Sequence, residues 1–470
     1  MEDTPKHFIG RLFGFSIGPL VSAFIGFLMV PVTTYLISPS ELGKSSMFTM
    51  AFSISSLFIY LGMDQALVRE FSAIKDKKQL FWTAFVIPFG FSIIIGILYL
   101  IFYKSISLLM FGNIEAYIIK LLAISLPFAT IDRFNMLIIR MEEKAKLFSL
   151  INIINKLVNM IMLIIFLLFI EKSFIGIINA TVLSLVIMCF IENYINKEYW
   201  KSKINFNIKL IKDLLGFGLP LVPASIITWI FNSMDKMAMR KWANFTEIGL
   251  YAAAFKIVLV LGILQQAFNT FWAPTAYRWY EKGVDNEKFS KVSKLLTGTM
   301  SIIFVLIVLF KDLIIRVLSP EYYKAAVIVP FLLFYPLMYT ISETTTLGIS
   351  ISRKTGYNII VSAISAVVNF IGNYILVPKY GALGASVSTG IAYIVFFWMR
   401  TLISRKLWFK FNLSIYFWNI LFMFLMSLTD VIFNNSYLDL IFVLIILIIN
   451  KYTITSIYKF IKELGAVTRE

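Results

Sequence analysis

Charged side chains inside long apolar segments are the residues of this chain best suited to binding or chemistry. A charged group is costly within a lipid bilayer, so it usually faces a water-filled cavity or a group of opposite charge. Cations at such positions would attract an anionic substrate, and acids would form ion pairs with them. The cations are Arg133, Lys156, Lys236 and Lys256, and the acids are Asp64, Asp132, Asp235 and Glu343.

The neighbours of these charges in the sequence suggest different roles. Asp132 directly precedes Arg133, and Asp235 directly precedes Lys236, so each couple either forms a local ion pair or faces a water-filled cavity. Lys156 and Lys256 have no acid beside them, which favours a position in a cavity. The residues predicted to bind substrate are Arg133, Lys156, Lys236 and Lys256. Gating or ion-pair roles are predicted for Asp64, Arg69, Asp132, Asp235 and Glu343.

Uncharged polar side chains accompany the lysines. A stripe of asparagines shares a helical face with Lys156, because residues three and four positions apart lie side by side on a helix. Such a stripe either lines a cavity or joins helices through hydrogen bonds. The side chains predicted to line the cavity are Asn152, Asn155, Asn159, Gln265, Asn369 and Asn373.

The residues that enzymes and metal sites most often use are scarce. The chain has one histidine, His7, and one cysteine, Cys189. Metal sites built on several His or Cys ligands, and His-based acid–base catalysis, therefore lack the groups they need. The loops are too short to hold a catalytic domain outside the membrane. We predict a protein that is not an enzyme, holds no metal or cofactor, and binds no nucleic acid.

Composition indicates a membrane protein with many helices. Hydrophobic residues make up 59% of the chain, and its mean hydropathy is +0.83. Apolar stretches of ~20 residues, long enough to cross a bilayer as helices, recur from end to end, so we expect an all-α polytopic protein with about 14 spans. Most of the 43 Lys and Arg residues lie near the termini and in alternate loops. The positive-inside rule therefore predicts that both termini are cytoplasmic.

The chain is also duplicated. Ser-Pro-Ser-Glu-Leu-Gly at 38–43 and Phe-Thr-Glu-Ile-Gly at 245–249 each connect two apolar segments, and residues 146–176 correspond to 354–384 at one constant spacing. Both repeats start after an even number of helices, so they have the same orientation. Duplicated membrane segments are typical of transporters. We predict one six-helix bundle in residues 1–200, a second in 201–410, and a helix pair with a cytoplasmic tail in 411–470.

Several stretches resemble one transporter family. They are Tyr-Leu-Ile-Ser-Pro-Ser-Glu-Leu-Gly at 35–43, Leu-Gly-Met-Asp-Gln-Ala-Leu-Val-Arg-Glu at 61–70, Arg-Met-Glu-Glu-Lys-Ala at 140–145, Ser-Met-Asp-Lys at 233–236, Ile-Gly-Leu-Tyr-Ala at 248–252 and Val-Asn-Phe-Ile-Gly-Asn-Tyr-Ile-Leu-Val-Pro-Lys-Tyr-Gly-Ala-Leu-Gly-Ala at 368–385. In their order and spacing they resemble the Wzx-type polysaccharide flippases of the MOP superfamily, which also contains MATE exporters and MurJ lipid II flippases. One position departs from the pattern, because family members commonly have arginine where this chain has Lys236.

The resemblance implies two parallel six-helix bundles around a central cavity, followed by helices 13 and 14. It implies a flippase that moves an undecaprenyl-pyrophosphate-linked oligosaccharide across the cytoplasmic membrane by alternating access, for surface polysaccharide biosynthesis. Its partners would be that substrate, membrane lipids, and the polymerase and glycosyltransferases of the pathway. A coupling ion, H⁺ or Na⁺, is also implied, and the sequence does not distinguish the two.

Other functions stay open at this point. A MATE-like exporter of cationic small molecules would need acids rather than lysines and arginines to dominate its cavity. A membrane-embedded polymerase or glycosyltransferase would need a large outer loop or an acid–base cluster. A lipid II-type substrate fits the flippase mechanism as well as another lipid-linked sugar does.

Overall fold

Every regular element in the described part of the chain is helical. The computed structural model describes residues 5–433, 436–456 and 459, with the side chains of 17–433, 438–456 and 459. The chain divides into two compact units, Met1–Lys236 and Met237–Glu470.

The first unit is built from long helices joined by short connections. In chain order they are α1 (Pro5–Leu36), α2 (Pro39–Tyr60), α3 (Met63–Glu70), α4 (Lys77–Ile101), α5 (Tyr103–Phe111), α6 (Ala116–Met141), α7 (Ala145–Ile165, continued by a π-helical turn, Phe166–Ile170), α8 (Phe174–Ile195), α9 (Lys197–Trp200) and α10 (Ile208–Gly218). A 3₁₀ turn, Leu219–Leu221, then leads into α11 (Val222–Trp242), and the boundary between the units lies inside this helix.

The second unit follows the same general plan. Its helices are α12 (Phe245–Val258), α13 (Val260–Glu281), α14 (Asn286–Leu309), α15 (Lys311–Ile315), a 3₁₀ segment (Pro320–Val327), α16 (Val329–Leu332), α17 (Phe334–Thr345), α18 (Leu347–Ile351), α19 (Gly356–Leu407), α20 (Ser414–Phe433) and α21 (Ser436–Ile449).

Many of these helices are long and apolar enough to span a membrane. Among the described residues there are 11 such helices, or up to 12 when the segments Pro320–Val327 and Val329–Thr345, bent by 57°, count as one span. The chain is therefore an all-α, multi-pass membrane protein. Two predicted spans lie within α19, and the apolar helix Leu438–Ile449 is shorter than the others. The total of about 14 and the orientation stay predictions.

A glycine breaks α19 into two helices. Gly381 has φ 53° and ψ −127°, far from helical values, in the left-handed half of the backbone map that glycine tolerates best. A Cβ at this position would also lie 2.6 Å from a carboxylate oxygen of Glu247. The break therefore needs both the backbone freedom and the small size of glycine.

Each unit contains the same helix-capping contact, built from the duplicated motif. In the first unit, Glu41 Oε2 accepts a hydrogen bond from the backbone N–H of Phe174, 2.7 Å away at the start of α8. In the second, Glu247 Oε2 accepts one from Ala382, 2.8 Å away and directly after Gly381. The first N–H groups of a helix lack partners within the helix, and a carboxylate there also interacts favourably with the helix dipole. The sequence repeat thus has a structural counterpart in each unit.

An aromatic cluster holds α6 in place within the first unit. Phe85 lies edge-on to Phe134 of α6 and to Trp200 of α9, with ring centroids 5.5 and 5.2 Å apart. The indole N–H of Trp200 donates to Asn135 Oδ1 at 2.8 Å. Offset and edge-to-face aromatic pairs add to the energy of burial. This packing fixes the part of α6 that carries Asp132 and Arg133.

Candidate functional site

The break between α2 and α3 places an acid inside the first unit. Leu61 and Gly62 have φ 48° and 73°, which ends α2 and lets α3 begin with Asp64 in its first turn. A Cβ at residue 62 would lie 2.4 Å from the carbonyl oxygen of Gly218. Close packing against α10 thus requires glycine and fixes the start of α3. Asp64 is consequently buried, with 8% of its side chain exposed.

Arg133 of α6 pairs with this buried acid. Its Nη2 and Nε donate to Asp64 Oδ2 at 2.7 and 3.3 Å. The guanidinium also lies 6.0 Å from the ring centroid of Tyr60, a cation–π distance. The side chain of Arg133 is 41% exposed, so part of the guanidinium is available to another anion. The structure thus brings two of the predicted residues, Arg133 and Asp64, together.

Asp132 and Arg133 have different partners although they are neighbours in sequence. The ion pair of Arg133 is with Asp64, whereas the carboxyl of Asp132 contacts the carboxyl of Glu192 on α8. Consecutive residues do not face the same way on a helix. Glu192 was not among the predicted site residues. It lies one helical turn before a lysine-rich loop, a position typical of an exposed acid.

Lys156 lies on α7 against α1. A Cβ added at Gly26 would be 3.1 Å from Lys156 Cε, so the lysine stem occupies the space that this glycine leaves. No acid pairs with Lys156 among the residues that the structure describes. Of the asparagines on its helix, Asn152 donates to the carbonyl of Phe148 at 2.8 Å. Asn155 and Asn159 are half-buried.

The remaining predicted cations lie on α11 and α12. Asp235 is buried and acts electrostatically on its half-buried neighbour Lys236. Lys256 is exposed, and Gln265, on α13, is half-buried. At the end of α3, Arg69 Nε lies 3.5 Å from Glu70 Oε1, and the Arg69 guanidinium lies 4.4 Å from the ring centroid of Phe217.

The second unit contains an acid–arginine pair of which only the acid, Glu343, was predicted from the sequence. Glu343 Oε1 accepts a hydrogen bond from Arg400 Nη1 at 2.9 Å, and the same nitrogen donates to Ser342 Oγ at 2.6 Å. The guanidinium of Arg400 also lies over Tyr339, 5.5 Å from its ring centroid. Arg400 was not among the predicted site residues. Its position on the last apolar turns of the helix is the signal that could have identified it.

The two predicted polar residues of α19 form side-chain hydrogen bonds within the helix pair. Asn369 Nδ2 donates to Thr389 Oγ1, and Asn373 Nδ2 donates to Asn369 Oδ1, both at 3.1 Å. Both asparagines are buried, each 1% exposed. The first of these hydrogen bonds joins the two halves of α19, and the second lies within its first half. Within the described residues, no group of three or more His, Cys, Asp or Glu side chains is placed to hold a metal ion.

Comparison with known proteins identifies the family. Residues 32–328, more than half of the chain, match the family described as polysaccharide biosynthesis protein. The chain belongs to this family. A capsular polysaccharide biosynthesis protein, CapF of Staphylococcus aureus, is 22% identical over 80% of this chain and 94% of its own length. An uncharacterized membrane protein of Methanocaldococcus jannaschii, MJ1068, is 25% identical over 45% of this chain, and that match covers 43% of the relative.

A solved structure shows the same fold. The lipid II flippase MurJ, in an inward closed conformation, superposes with a TM-score of 0.71 over 95% of this chain and 99% of its own, at 19% identity. The family match and this likeness confirm the predicted membership of the Wzx-type group of the MOP superfamily. The chain is a multi-pass protein of the cell membrane with a role in polysaccharide biosynthesis.

Proposed function

We propose that the chain is a flippase that moves an undecaprenyl-pyrophosphate-linked oligosaccharide from the inner to the outer leaflet of the cytoplasmic membrane. The two units would open alternately to the two sides of the membrane. The sugar and pyrophosphate would pass through a polar path, while the polyprenyl tail stays in the lipid. Family membership and the MurJ-like fold support flipping of lipid-linked sugars in general, and the carrier lipid is the finer part of the proposal.

The observation that carries this proposal is the set of cations at membrane depth whose charge is not fully neutralised. Arg133 is partly exposed beside its acid, and Lys156 has no acid partner among the described residues. Positive charge in a low-dielectric setting attracts anions strongly. A pyrophosphate group is the most highly charged part of a lipid-linked oligosaccharide, so it is the group that these cations would bind.

The experiment replaces Lys156 and Lys256, two of the residues predicted to bind substrate, in a strain that lacks its own copy of the protein. A charge-assisted hydrogen bond contributes about 1.5–3 kcal/mol, and about 1.4 kcal/mol is a factor of ten in binding. The double variant Lys156→Gln/Lys256→Gln should therefore export surface polysaccharide at least ~10-fold more slowly. Lys120→Gln removes an exposed cation from α6 and serves as the matched control, with export expected to be unchanged.

Two measurements make the outcome decisive. Immunoblotting of membranes shows whether the variants reach normal levels, and analysis of lipid-linked sugars shows whether substrate accumulates on the inner leaflet. Undiminished export by the double variant would contradict the role of these lysines. A null strain without stranded lipid-linked sugar, but with greater sensitivity to cationic drugs, would support the exporter instead.

A further inference from the structure

Two acidic side chains meet in the interior of the first unit. The carboxyl groups of Asp132 on α6 and Glu192 on α8 are buried side by side and interact with each other. Glu192 is 0% exposed. Neither of its carboxyl oxygens receives a hydrogen bond from a donor group among the described residues, and the same is true of the inaccessible Oδ1 of Asp132. A buried carboxylate without any donor would be very costly.

The groups around the pair do not supply the missing positive charge. Arg133 acts electrostatically on Asp132, but its hydrogen bonds go to Asp64. Tyr60 and Cys189 also face the pair, and neither carries a positive charge. Amide side chains next to the pair bond to one another: Asn135 Nδ2 donates to Asn193 Oδ1 at 2.8 Å, and Asn196 Nδ2 donates to Asn135 Oδ1 at 3.1 Å.

In the second unit, the position that corresponds to Glu192 in the repeat has a cation. Phe174 and Ala382 are the equivalent residues capped by Glu41 and Glu247. Counting from these two, the residue that corresponds to Glu192 is Arg400. Arg400 forms an ion pair with Glu343 at 2.9 Å. At the position of Glu192 the repeat thus has a cation with an acidic partner in the second unit, whereas in the first unit it has an acid that contacts another acid.

We propose that Asp132 and Glu192 bind one exchangeable proton between their carboxyl groups. Two adjacent buried carboxylates that receive no hydrogen bond from a donor group cannot both be ionised without a large energetic cost, and a proton held by one of them removes that cost. A bound metal ion would need several oxygen ligands around it, whereas only these two carboxyls meet here among the described residues.

Release of this proton would affect the neighbouring cation. It adds one negative charge beside Arg133, which would lower the attraction of Arg133 for an anionic headgroup. Protonation would restore that attraction. This consequence rests on the proposed function, whereas the proton site itself does not.

The test measures protonated carboxyl groups directly. The full-length protein in lipid nanodiscs is examined by infrared difference spectroscopy, with the pH stepped from neutral to alkaline. The wild type should show the carbonyl stretch of a protonated carboxyl that disappears at alkaline pH. Glu192→Gln and Asp132→Asn should each remove that band, since one partner of the shared proton is gone. Glu198→Gln removes an exposed acid just beyond α8 and should leave the band unchanged.

Several outcomes would overturn the proposal. A spectrum without the band at neutral pH, or a band that persists in both variants, would show that no proton is shared there. Loss of the band on addition of Na⁺ at constant pH would assign the site to a metal cation instead. Because the measurement needs no transport, failure of the flippase proposal would leave this result intact. The proposed effect of the proton on Arg133 would be contradicted if the band behaves as expected while both variants export polysaccharide at the wild-type rate.

Discussion

At the scale of single residues, the direction in which each side chain points decides its partner. Asp132 and Arg133 are adjacent, yet one contacts α8 and the other contacts α3, because successive positions on a helix are rotated by roughly 100°. Arg133 is thereby held by Asp64 while part of its guanidinium stays exposed. An arginine that is positioned by one carboxylate and open to a second anion is suited to binding a phosphate group.

A double-mutant cycle separates the structural and binding roles of this pair. Arg133→Gln leaves the buried Asp64 without its partner and should lower the free energy of unfolding by about 1–3 kcal/mol, measured by thermal denaturation in detergent. Adding Asp64→Asn removes the uncompensated charge and should restore most of that stability. If Arg133 contacts substrate, the double variant stays defective in export although it is stable. Full recovery of export in the double variant would show that the pair is only structural.

At the scale of the helix, the two motif glutamates act as caps across the chain. Each lies in the first turn of its own helix, α2 or α12, and bonds to the first N–H of a more distant helix. In the first unit, Lys44 contacts both partners of the cap: its Nζ lies 2.8 Å from Glu41 Oε1 and 4.9 Å from the ring centroid of Phe174. The contact therefore fixes how the start of α2 packs against the start of α8.

Removing these caps should destabilise both units to a similar extent. Glu41→Ala and Glu247→Ala each lose one cap, so each should lower the free energy of unfolding by about 1–2 kcal/mol. The two contacts share no residue, so their costs should add in the double variant. Glu→Gln at either position keeps an acceptor oxygen and should cost less than Glu→Ala. A large loss at one site and none at the other would show that the duplicated motif has kept its capping role in only one unit.

At the scale of the whole molecule, local features were predictable from sequence and partners between helices were not. The repeat at Glu41 and Glu247 could be recognised because a turn followed by a helix start is encoded within a few residues. The partner of Arg133 lies 69 residues away and depends on how α3 is tilted by the break at Gly62. The pairing of Asp132 with Glu192, and of Glu343 with Arg400, likewise depends on which helix faces pack together, which a single sequence does not encode locally.

The orientation of the chain in the membrane can be tested by labelling single introduced cysteines, because the natural sequence is so poor in cysteine. Cys189 is the single cysteine and is 2% exposed, so it should react little with thiol reagents, and Cys189→Ala removes even that background. The basic loop after α8 is expected in the cytoplasm, and the short turn before α8 outside, because positively charged loops stay inside. Lys172→Cys and Lys203→Cys place single thiols at exposed positions in these two loops. In intact cells a membrane-impermeant maleimide should label the first and not the second, and permeabilisation should expose both. The reverse pattern would invert the membrane orientation and contradict the proposed direction of transport, since the basic clusters would then face the outside.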